Sequence, residues 1–299
     1  MAVGMAIAER MDAARWNVDA EAPVVDHRTW VFCGDGDLEE GISHEACSLA
    51  GAFKLDRLCL VYDSNNITIE GTADLALVDD TRTRFEAYGW KVLECDGHDF
   101  DAIDRAFRKA LKVVGQPTLI IAKTHIGMGC PTKQDTSACH GAPLGAEELA
   151  GLKRNLGFDP EKFFDVPGDV YDWFEDRGAA CHRMNLRWKK ALRDWTAAHA
   201  DLAAARDAAQ HGYLPQKLEA KLPVFDPSKP LATRTACGAV MCALAAEVPF
   251  LVGGSADLEP SNKTNLKPFG WNSATDFSGR NFHWGIRELG MSAIVNGLV

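Results

Sequence analysis

The sequence predicts an α/β fold with a doubly wound, mainly parallel sheet, followed by the start of a second α/β domain. Between residues 29 and 124, short apolar runs alternate with segments of helical periodicity. Each apolar run is continuous, which is typical of strands buried on both faces of a parallel sheet. Because helices separate the runs, the chain is expected to form successive βαβ units. A second helix and strand pattern begins near residue 232.

Each element can be assigned in order from these patterns. The predicted strands lie at residues 29–33, 58–63, 90–95, 118–123 and 250–253. The predicted helices lie at residues 1–15, 38–53, 80–88, 100–114, 146–156, 170–210 and 233–247, with a last one from about residue 287. Residues 125–144 are rich in Gly, Pro, Thr and Ser, which predicts a long loop of the kind that is often functional.

The same patterns divide the chain into two domains and a linker. We expect the first domain at residues 1–212, a linker at 213–231 and the second domain at 232–299. A single helix–strand–helix unit cannot bury its own faces, so the second domain is expected to be incomplete. No capping residue precedes the first helix, so the first domain is expected to lack its N-terminal part.

Composition excludes several classes of protein. The chain has 299 residues, of which 46% are hydrophobic and 25% charged, as in ordinary globular proteins. The net charge of −10 argues against a general nucleic-acid-binding surface. No run approaches the roughly 18 uninterrupted apolar residues of a membrane span. Nine cysteines without a Cys-x-x-Cys pair indicate reduced thiols in a cytoplasmic protein.

Polar residues at the ends of two predicted strands indicate a ligand-binding site. An apolar run ends in Gly34-Asp35-Gly36, and the next ends in Asn65-Asn66-Ile67. In an open α/β sheet, ligands bind beyond the carboxyl ends of the strands. A carboxylate, an amide oxygen and a backbone carbonyl suit Mg²⁺ or Ca²⁺, which keep further positions for diphosphate oxygens. A Gly-Asp-Gly sequence is also a common turn, but the asparagine at the next strand end favours a metal-bridged diphosphate cofactor.

A series of longer motifs resembles the transketolase family, and it extends over essentially the whole chain. In order, the motifs are Gly34-Asp35-Gly36-Asp37-Leu38-Glu39-Glu40-Gly41-Ile42-Ser43-His44-Glu45-Ala46-Cys47-Ser48-Leu49-Ala50-Gly51, Phe85-Glu86-Ala87-Tyr88-Gly89-Trp90, Asp96-Gly97-His98-Asp99, Lys123-Thr124, His140-Gly141-Ala142-Pro143-Leu144-Gly145, Ala232-Thr233-Arg234, Gly253-Gly254-Ser255-Ala256-Asp257-Leu258 and Gly285-Ile286-Arg287-Glu288. The resemblance implies a thiamine diphosphate-binding fold, thiamine diphosphate as cofactor and a divalent metal, Mg²⁺ or Ca²⁺.

The resemblance assigns cofactor roles to residues of the first domain. Asp35, Asn65 and the Ile67 carbonyl resemble the family's metal ligands. Gly36 resembles a close backbone contact to the diphosphate, where a side chain would obstruct the approach. His140 resembles the histidine that lies near both the diphosphate and the donor substrate, and it is therefore a catalytic, cofactor-binding and substrate-binding candidate; the alternative is a histidine that only caps its loop.

Substrate and catalytic roles fall mainly in the second domain. Arg234 and Ser255 resemble residues that hold a sugar phosphate, although a lone arginine is otherwise a solvated side chain. Glu288 resembles the glutamate that hydrogen-bonds to the aminopyrimidine ring and activates the cofactor. Such a carboxyl group needs a buried site that raises its pKa. The alternative is a surface charge pair of Arg287 and Glu288.

The resemblance also implies partners. Glu40 and Glu45 resemble carboxylates that link two active sites across a dimer; the alternative is an exposed helix face. Apart from the resemblance, Lys123 is a further candidate for cofactor binding because it lies at a strand end beside the proposed site. We expect a homodimer, or a partner chain that carries the missing domains, because a complete subunit of this family has three domains. Phosphorylated sugars are the expected substrates, and no nucleic acid or membrane is expected as a partner.

The expected activity is transfer of a two-carbon ketol unit from a ketose phosphate to an aldose phosphate, through a carbanion of thiamine diphosphate, as in the pentose phosphate pathway. Two alternatives stay open. One is a related thiamine-dependent carboligase of the dihydroxyacetone synthase or 1-deoxyxylulose-5-phosphate synthase type. The other is a non-catalytic fragment or a split-enzyme subunit that needs a partner chain.

Overall fold

The computed structural model describes all residues from 1 to 299, and these form two compact units. The sheet unit comprises residues 28–183. The helical unit combines residues 3–27 with residues 184–299. These packing units differ from the domain boundaries at 212 and 232, which stay a prediction about sequence modules.

The helices and strands alternate along most of the chain. The helices are α1 (Ala2–Trp16), α2 (Asp35–Glu39), α3 (Gly41–Ala52), α4 (Thr81–Ala87), α5 (Phe100–Ala110), α6 (Ala146–Asn155), α7 (Gly168–Ala198), α8 (Ala200–His211), α9 (Thr233–Glu247), α10 (Glu259–Asn262) and α11 (Glu288–Leu298). The strands are β1 (Thr29–Cys33), β2 (Leu58–Ser64), β3 (Ile67–Thr68), β4 (Gly71–Thr72), β5 (Lys91–Asp96), β6 (Thr118–Lys123), β7 (Gly253–Ser255) and β8 (Asn281–His283).

The sheet unit is built on four parallel strands in the order β1-β2-β6-β5. Strand β6 therefore lies between β2 and β5, with Thr118 in register with Cys59 on one side and Lys91 on the other. Because all four strands run the same way, their carboxyl ends meet at one edge. This edge places residues that follow β1, β2, β5 and β6 next to one another.

Both faces of this sheet are covered, which confirms the predicted doubly wound α/β class. On one face, Cys59, Val61 and Ile120 form a buried cluster with Ala106 and Ala110 of α5. On the other face, the Trp90 indole donates a 2.8 Å hydrogen bond to the Cys47 carbonyl of α3. Trp90 also packs edge-on against Phe85 of α4, with ring centroids 5.1 Å apart. The helices on both faces explain why the strands of this sheet are continuous apolar runs in the sequence.

The helical unit carries a short parallel pair, β7 and β8, together with six helices or helix segments. Asn281 of β8 is fully buried, and its side-chain oxygen accepts a 2.8 Å hydrogen bond from the Leu266 amide. A second buried cluster joins Trp16, Val24 and Val25 to Trp195. Glycines allow α1 and α11 to lie close together, since a Cβ atom on Gly4 would clash with the backbone of Ile294 and Gly297.

Several predicted boundaries were wrong in specific ways. The helix predicted at 38–53 is interrupted at Glu40, whose ψ of 130° is extended, so α2 and α3 are separate. The helix predicted at 170–210 is interrupted at His199. The strand predicted at 250–253 lies instead at Gly253–Ser255, and β8 was not predicted. The linker region contains a short 3₁₀ helix, Leu218–Lys221.

Along the whole chain, every helix is either too short or too polar to span a lipid bilayer.

Candidate functional site

Asp35 is a buried side chain at the carboxyl edge of the sheet. It directly follows β1, begins α2 and is 5% exposed. The Tyr62 hydroxyl donates a 2.5 Å hydrogen bond to its Oδ1, and the Asn66 amide donates a 3.1 Å bond to its Oδ2. Burial, followed by this hydrogen bond, raises the pKa of Tyr62 above its usual value, so the phenol stays protonated as a donor. The carboxylate is thereby fixed by two donors from β2 and the residues beyond it.

Asn65, Asn66 and Ile67 form the turn after β2. The Asn65 side-chain oxygen accepts a 3.0 Å hydrogen bond from the Ile67 amide, a local side-chain-to-backbone turn. Asn66 has a φ of 60°, in the left-handed region that asparagine tolerates better than most residues. This conformation aims the Asn66 amide at Asp35, and the chain then enters the β3–β4 hairpin.

Two cavities open at this edge and share part of their lining. The larger has a volume of about 780 Å³ and is bordered by Asn65 and Ile67. The smaller, of about 300 Å³, is bordered by Asp35. Ser64, Asn66, Glu94 and Lys123 border both. The three predicted metal ligands therefore lie around adjoining cavities, as their positions at neighbouring strand ends predicted.

The donor set fits a hard divalent cation that also binds a diphosphate. Nowhere in the chain do three or more His, Cys, Asp or Glu side chains cluster to hold a metal. A cation at this edge would have the Asp35 carboxylate, the neutral oxygens of Asn65 and Ile67 and free positions, which is how Mg²⁺ usually binds with phosphates. Each Asp35 oxygen accepts one hydrogen bond in the structure and retains a lone pair.

Lys123 and Gly36 add to this fit. The Lys123 ammonium group borders both cavities and donates a 3.1 Å hydrogen bond to the Ser64 hydroxyl. It brings a second positive charge, besides Arg82 of the smaller cavity, to an edge that also carries acidic groups such as Glu94. A Cβ atom on Gly36 would meet nothing within 4 Å, so no other part of the chain occupies that space. The space is open to a bound group.

The sequence did not predict a site formed by His98, His125 and Asp135 beside the larger cavity. The His125 Nδ1 atom lies 3.0 Å from both carboxylate oxygens of Asp135, and both residues border the cavity. The His125 amide donates a 2.9 Å hydrogen bond to Nε2 of His98, and the two rings stack. Since Nδ1 faces the carboxylate, Nε2 is the His125 atom left for a ligand. The available signal was that His98 and His125 follow β5 and β6, which are neighbours.

The remaining candidates of the sheet unit border neither of the two cavities. His140 is exposed, follows a 3₁₀ turn at Ser137–Cys139, and borders neither of the two cavities. The structure therefore does not bring His140 to the cavity edge, although it lies in the predicted loop. Glu40 is exposed at the start of α3, and Glu45 is half-buried within it.

In the helical unit, Ser255 lies in the short parallel pair and Glu288 follows its second strand, β8. Ser255 ends β7, and its hydroxyl accepts a 3.1 Å hydrogen bond from the Leu258 amide. Its register partner on β8 is His283, whose ring stacks on Trp271 at 3.7 Å. Glu288 begins α11 and is exposed, so the expected burial of this carboxyl group is wrong for the chain as it stands. A first-turn helix position next to an open loop leaves it in solvent.

Arg234 belongs to a different helix, α9. It is the second residue of α9 and is exposed, with no hydrogen bond or ion pair of its own. The arrangement of Arg234 with Ser255 as one phosphate site stays a prediction.

The fold and the oxygen-rich carboxyl edge define an α/β protein that binds ligands beyond its strand ends. A family model described as the thiamine diphosphate binding domain of transketolase matches residues 1–215. A second, described as the pyrimidine binding domain of transketolase, matches residues 229–299. The chain belongs to the transketolase family.

Individual relatives are similar over the full chain. A transketolase of Geobacillus stearothermophilus is 44% identical over 303 residues, covering 100% of this chain and 45% of the relative. Transketolase 1 of Aliivibrio fischeri is 45% identical, covering 99% and 45%. The solved transketolase from Leishmania mexicana superposes with a TM-score of 0.95 at 40% identity, covering 99% of this chain and 44% of that one.

A structure from Pichia stipitis, described as a transketolase complex with sedoheptulose-7-phosphate, gives a TM-score of 0.94 at 38% identity and covers 45% of that chain. The chain thus spans less than half the length of the relatives it matches. The relationship establishes the family and confirms the fold class.

Proposed function

We propose that this chain supplies the diphosphate-binding part, and the start of the pyrimidine-binding part, of a transketolase that moves a two-carbon ketol unit from a ketose phosphate to an aldose phosphate. The observation that carries this proposal is the placement of Asp35, Asn65 and Ile67 around adjoining cavities at the carboxyl edge of the sheet. The family relationship supports thiamine diphosphate as the cofactor. We also infer that it works in the cytoplasm.

Asp35 would hold the divalent metal, with Asn65 and the Ile67 carbonyl as further ligands. Tyr62 and the Asn66 amide would keep the Asp35 carboxylate oriented when the metal binds, because they already fix both of its oxygens. Lys123 would neutralise negative charge on the diphosphate. Gly36 would permit a close backbone approach, since the space beside it is open.

Bound thiamine diphosphate supplies an electron sink for cleaving and forming carbon–carbon bonds next to a carbonyl. Glu288 would share a proton with a ring nitrogen of the cofactor, which requires water to be excluded around a carboxyl group that is exposed in this chain. His140 would hold a substrate hydroxyl. Arg234 and Ser255 would hold a sugar phosphate by charge-assisted hydrogen bonds.

We infer that a second copy of the chain, or a chain carrying further domains, completes the site. Burial of Glu288 and recruitment of His140 both require atoms that the two residues do not meet here. Glu40, which is exposed at the start of α3, would be one of the residues at such an interface, together with Glu45.

The test separates cofactor binding from turnover. Thiamine diphosphate is titrated into the purified chain by calorimetry with Mg²⁺ and with EDTA, and the variants Asp35→Ala and Asp172→Ala are compared. Asp172 is an exposed residue of α7 and serves as the matched control. We expect Mg²⁺-dependent binding that Asp35→Ala abolishes and Asp172→Ala preserves. Equal binding by both variants would refute the metal assignment.

Turnover is then measured with a ketose phosphate donor and an aldose phosphate acceptor. Ketol transfer that Glu288→Ala removes, with cofactor affinity largely retained, supports the catalytic assignment. Binding without transfer supports the proposal that another chain completes the site, and adding a chain with the remaining domains should restore transfer. Activity with pyruvate as donor would point instead to a 1-deoxyxylulose-5-phosphate synthase type of reaction.

A further inference from the structure

Two cysteines in the loop after β6 lie beside the same glycine. A Cβ atom built on Gly127 would lie 2.9 Å from the Cys139 sulfur and 3.5 Å from the Cys130 sulfur. The distance between the two sulfur atoms therefore cannot exceed the sum of these two distances, although eight residues lie between the cysteines in the sequence. Gly127 has a φ of 62°, and its carbonyl accepts a 2.9 Å hydrogen bond from the Cys130 amide. This turn brings Cys130 back toward Cys139.

The two thiols differ in their surroundings. Cys130 is 6% exposed, and burial raises its pKa, with the nearby Glu148 and Cys139 as smaller causes. Cys139 is half-buried, and its sulfur lies 3.3 Å from the carbonyl oxygens of Lys133 and Thr136. A small oxidant therefore reaches Cys139 more easily than Cys130. Cys130 is then the second thiol, which reacts with the oxidised Cys139.

We propose that Cys130 and Cys139 are a redox modification site that forms a reversible intramolecular disulfide. A peroxide oxidises the Cys139 thiolate to a sulfenic acid, and the O–O bond breaks with release of hydroxide. The Cys130 thiolate attacks the Cys139 sulfur, forming the S–S bond and releasing the sulfenic oxygen, which is protonated to water. Overall, two thiols lose two electrons and two protons, and one peroxide becomes two waters. A low-molecular-weight thiol reverses the step by thiol–disulfide exchange.

The loop that would be cross-linked also carries groups of the candidate site. His140 directly follows Cys139, and Asp135, which pairs with His125 at the larger cavity, lies between the two cysteines. The Asp135 amide donates a 3.0 Å hydrogen bond to the Ile126 carbonyl, so the loop already returns to its own start. Drawing the Cys139 sulfur to Cys130 breaks its contacts with the two carbonyls and moves the backbone before His140. An effect on cofactor binding rests on the proposed function; the disulfide itself does not.

The other cysteines offer a contrast within the same chain. All nine cysteines are free. Cys33 and Cys47 are near each other, but they sit on β1 and α3, and burial raises the pKa of each to about 12. Regular elements hold these two apart more rigidly than a turn-rich loop does. Cys181 is exposed on α7 and serves as a control for thiol access.

The first experiment maps the cross-link. The purified full chain is treated with hydrogen peroxide or with glutathione disulfide, free thiols are alkylated, and tryptic peptides are analysed by mass spectrometry. Because trypsin cleaves after Lys133, residues 124–133 and 134–153 are released as separate peptides unless a disulfide joins them. We expect a joined peptide that lacks the mass of two hydrogen atoms, disappears with dithiothreitol, and is absent from both Cys130→Ser and Cys139→Ser. It should persist in Cys181→Ser.

Cys33 and Cys47 both lie in the tryptic peptide 29–54, so a disulfide between them leaves that peptide two hydrogen masses lighter and joins it to nothing. That internal disulfide without the joined 124–133 and 134–153 peptides, or only glutathione adducts at Cys139, would overturn the proposal. The second measurement compares thiamine diphosphate affinity of reduced and oxidised chain. We expect a several-fold loss on oxidation that Cys139→Ser does not show. An unchanged affinity together with a mapped disulfide would refute only the coupling to the site, whereas absence of cofactor binding in the reduced chain would refute the proposed function and leave the disulfide standing.

Discussion

Tyr62 donates a 2.5 Å hydrogen bond to Oδ1 of the buried carboxylate of Asp35. The two residues come from neighbouring strands, since Tyr62 is in register with Cys33 and Asp35 follows two residues later. A strand residue thus positions the side chain on which the proposed metal site depends. We expect the same hydrogen bond to contribute to stability as well.

The Tyr62→Phe substitution should lower the free energy of unfolding by about 1–3 kcal/mol, because it removes one donor from a buried carboxylate oxygen. Urea denaturation monitored by circular dichroism measures the change. Tyr171→Phe, at an exposed position of α7, is the matched control and should have little effect. Equal stability of Tyr62→Phe and the parent chain would mean that water or another donor replaces the phenol.

Asn66 tests the backbone geometry of the site. Its φ of 60° favours glycine or asparagine, so Asn66→Gly should retain both fold and Mg²⁺-dependent cofactor binding. A β-branched residue in this conformation costs about 1–2 kcal/mol or more, so Asn66→Val should lose stability and displace the amide that binds Asp35. Calorimetric titration and urea denaturation of the two variants, side by side, measure both effects. Equal behaviour of the two variants would contradict this role of the turn.

Alkaline pH should destabilise the chain. Burial raises the pKa of Cys33 and Cys47 from 9.0 to about 12, and it also raises that of Tyr62. The neutral thiols favour the folded state, so their contribution is fully present below pH 9.0 and is lost as the pH rises toward 12. Each such group adds a slope of at most about 1.4 kcal/mol per pH unit.

Urea denaturation between neutral and alkaline pH measures this slope for the parent chain and for Cys47→Ala. The variant should show a shallower loss of stability above pH 9.0, even if its stability at neutral pH is lower. Cys181→Ala, at an exposed position, should keep the parent slope. An identical slope for Cys47→Ala would show that this thiol does not titrate differently in the folded state.

The close approach of α1 and α11 should be intolerant of larger residues. A Cβ atom on Gly297 would meet the backbone of Met1 well inside van der Waals contact, so Gly297→Ala should destabilise the chain by about 1–3 kcal/mol. Gly178→Ala is the control, because its Cβ atom would meet nothing within 4 Å and alanine favours the helix by about 0.5–1 kcal/mol. Thermal unfolding of the two variants should therefore shift in opposite directions.

The sequence predicted the central sheet because its strands are continuous apolar runs bounded by polar residues. The strands Thr29–Cys33 and Thr118–Lys123, and the helix Thr233–Glu247, have the predicted bounds. The strand Asn281–His283 was missed because three residues with one large apolar side chain give no periodic signal. The interruption at His199 has neither Gly nor Pro beside it, so no sequence signal marks it. Gly41 directly follows the interruption at Glu40, but a single Gly within a helical pattern does not by itself predict a break.

Some residues of the candidate site could also be predicted from the sequence, and others could not. Asp35 and Asn65 could be predicted because each follows a recognisable strand, and parallel strand ends meet at one edge. The His125–Asp135 pair could not, since it depends on a loop in which Asp135 adopts a φ of 56°. The environments of His140 and Glu288 differ from expectation because their predicted roles require atoms beyond those they contact here.

The strand order β1-β2-β6-β5 also has a consequence for how the chain acquires its fold during synthesis. Strand β5 pairs only with β6, and one edge of β2 stays unpaired until the same strand, β6, has formed. A nascent chain that has not yet reached Thr118 therefore leaves unpaired the edges of β2 and β5 that β6 later joins. Such edges bind other unfolded chains readily, so the interval before β6 emerges from the ribosome is when protection by chaperones matters most for this protein.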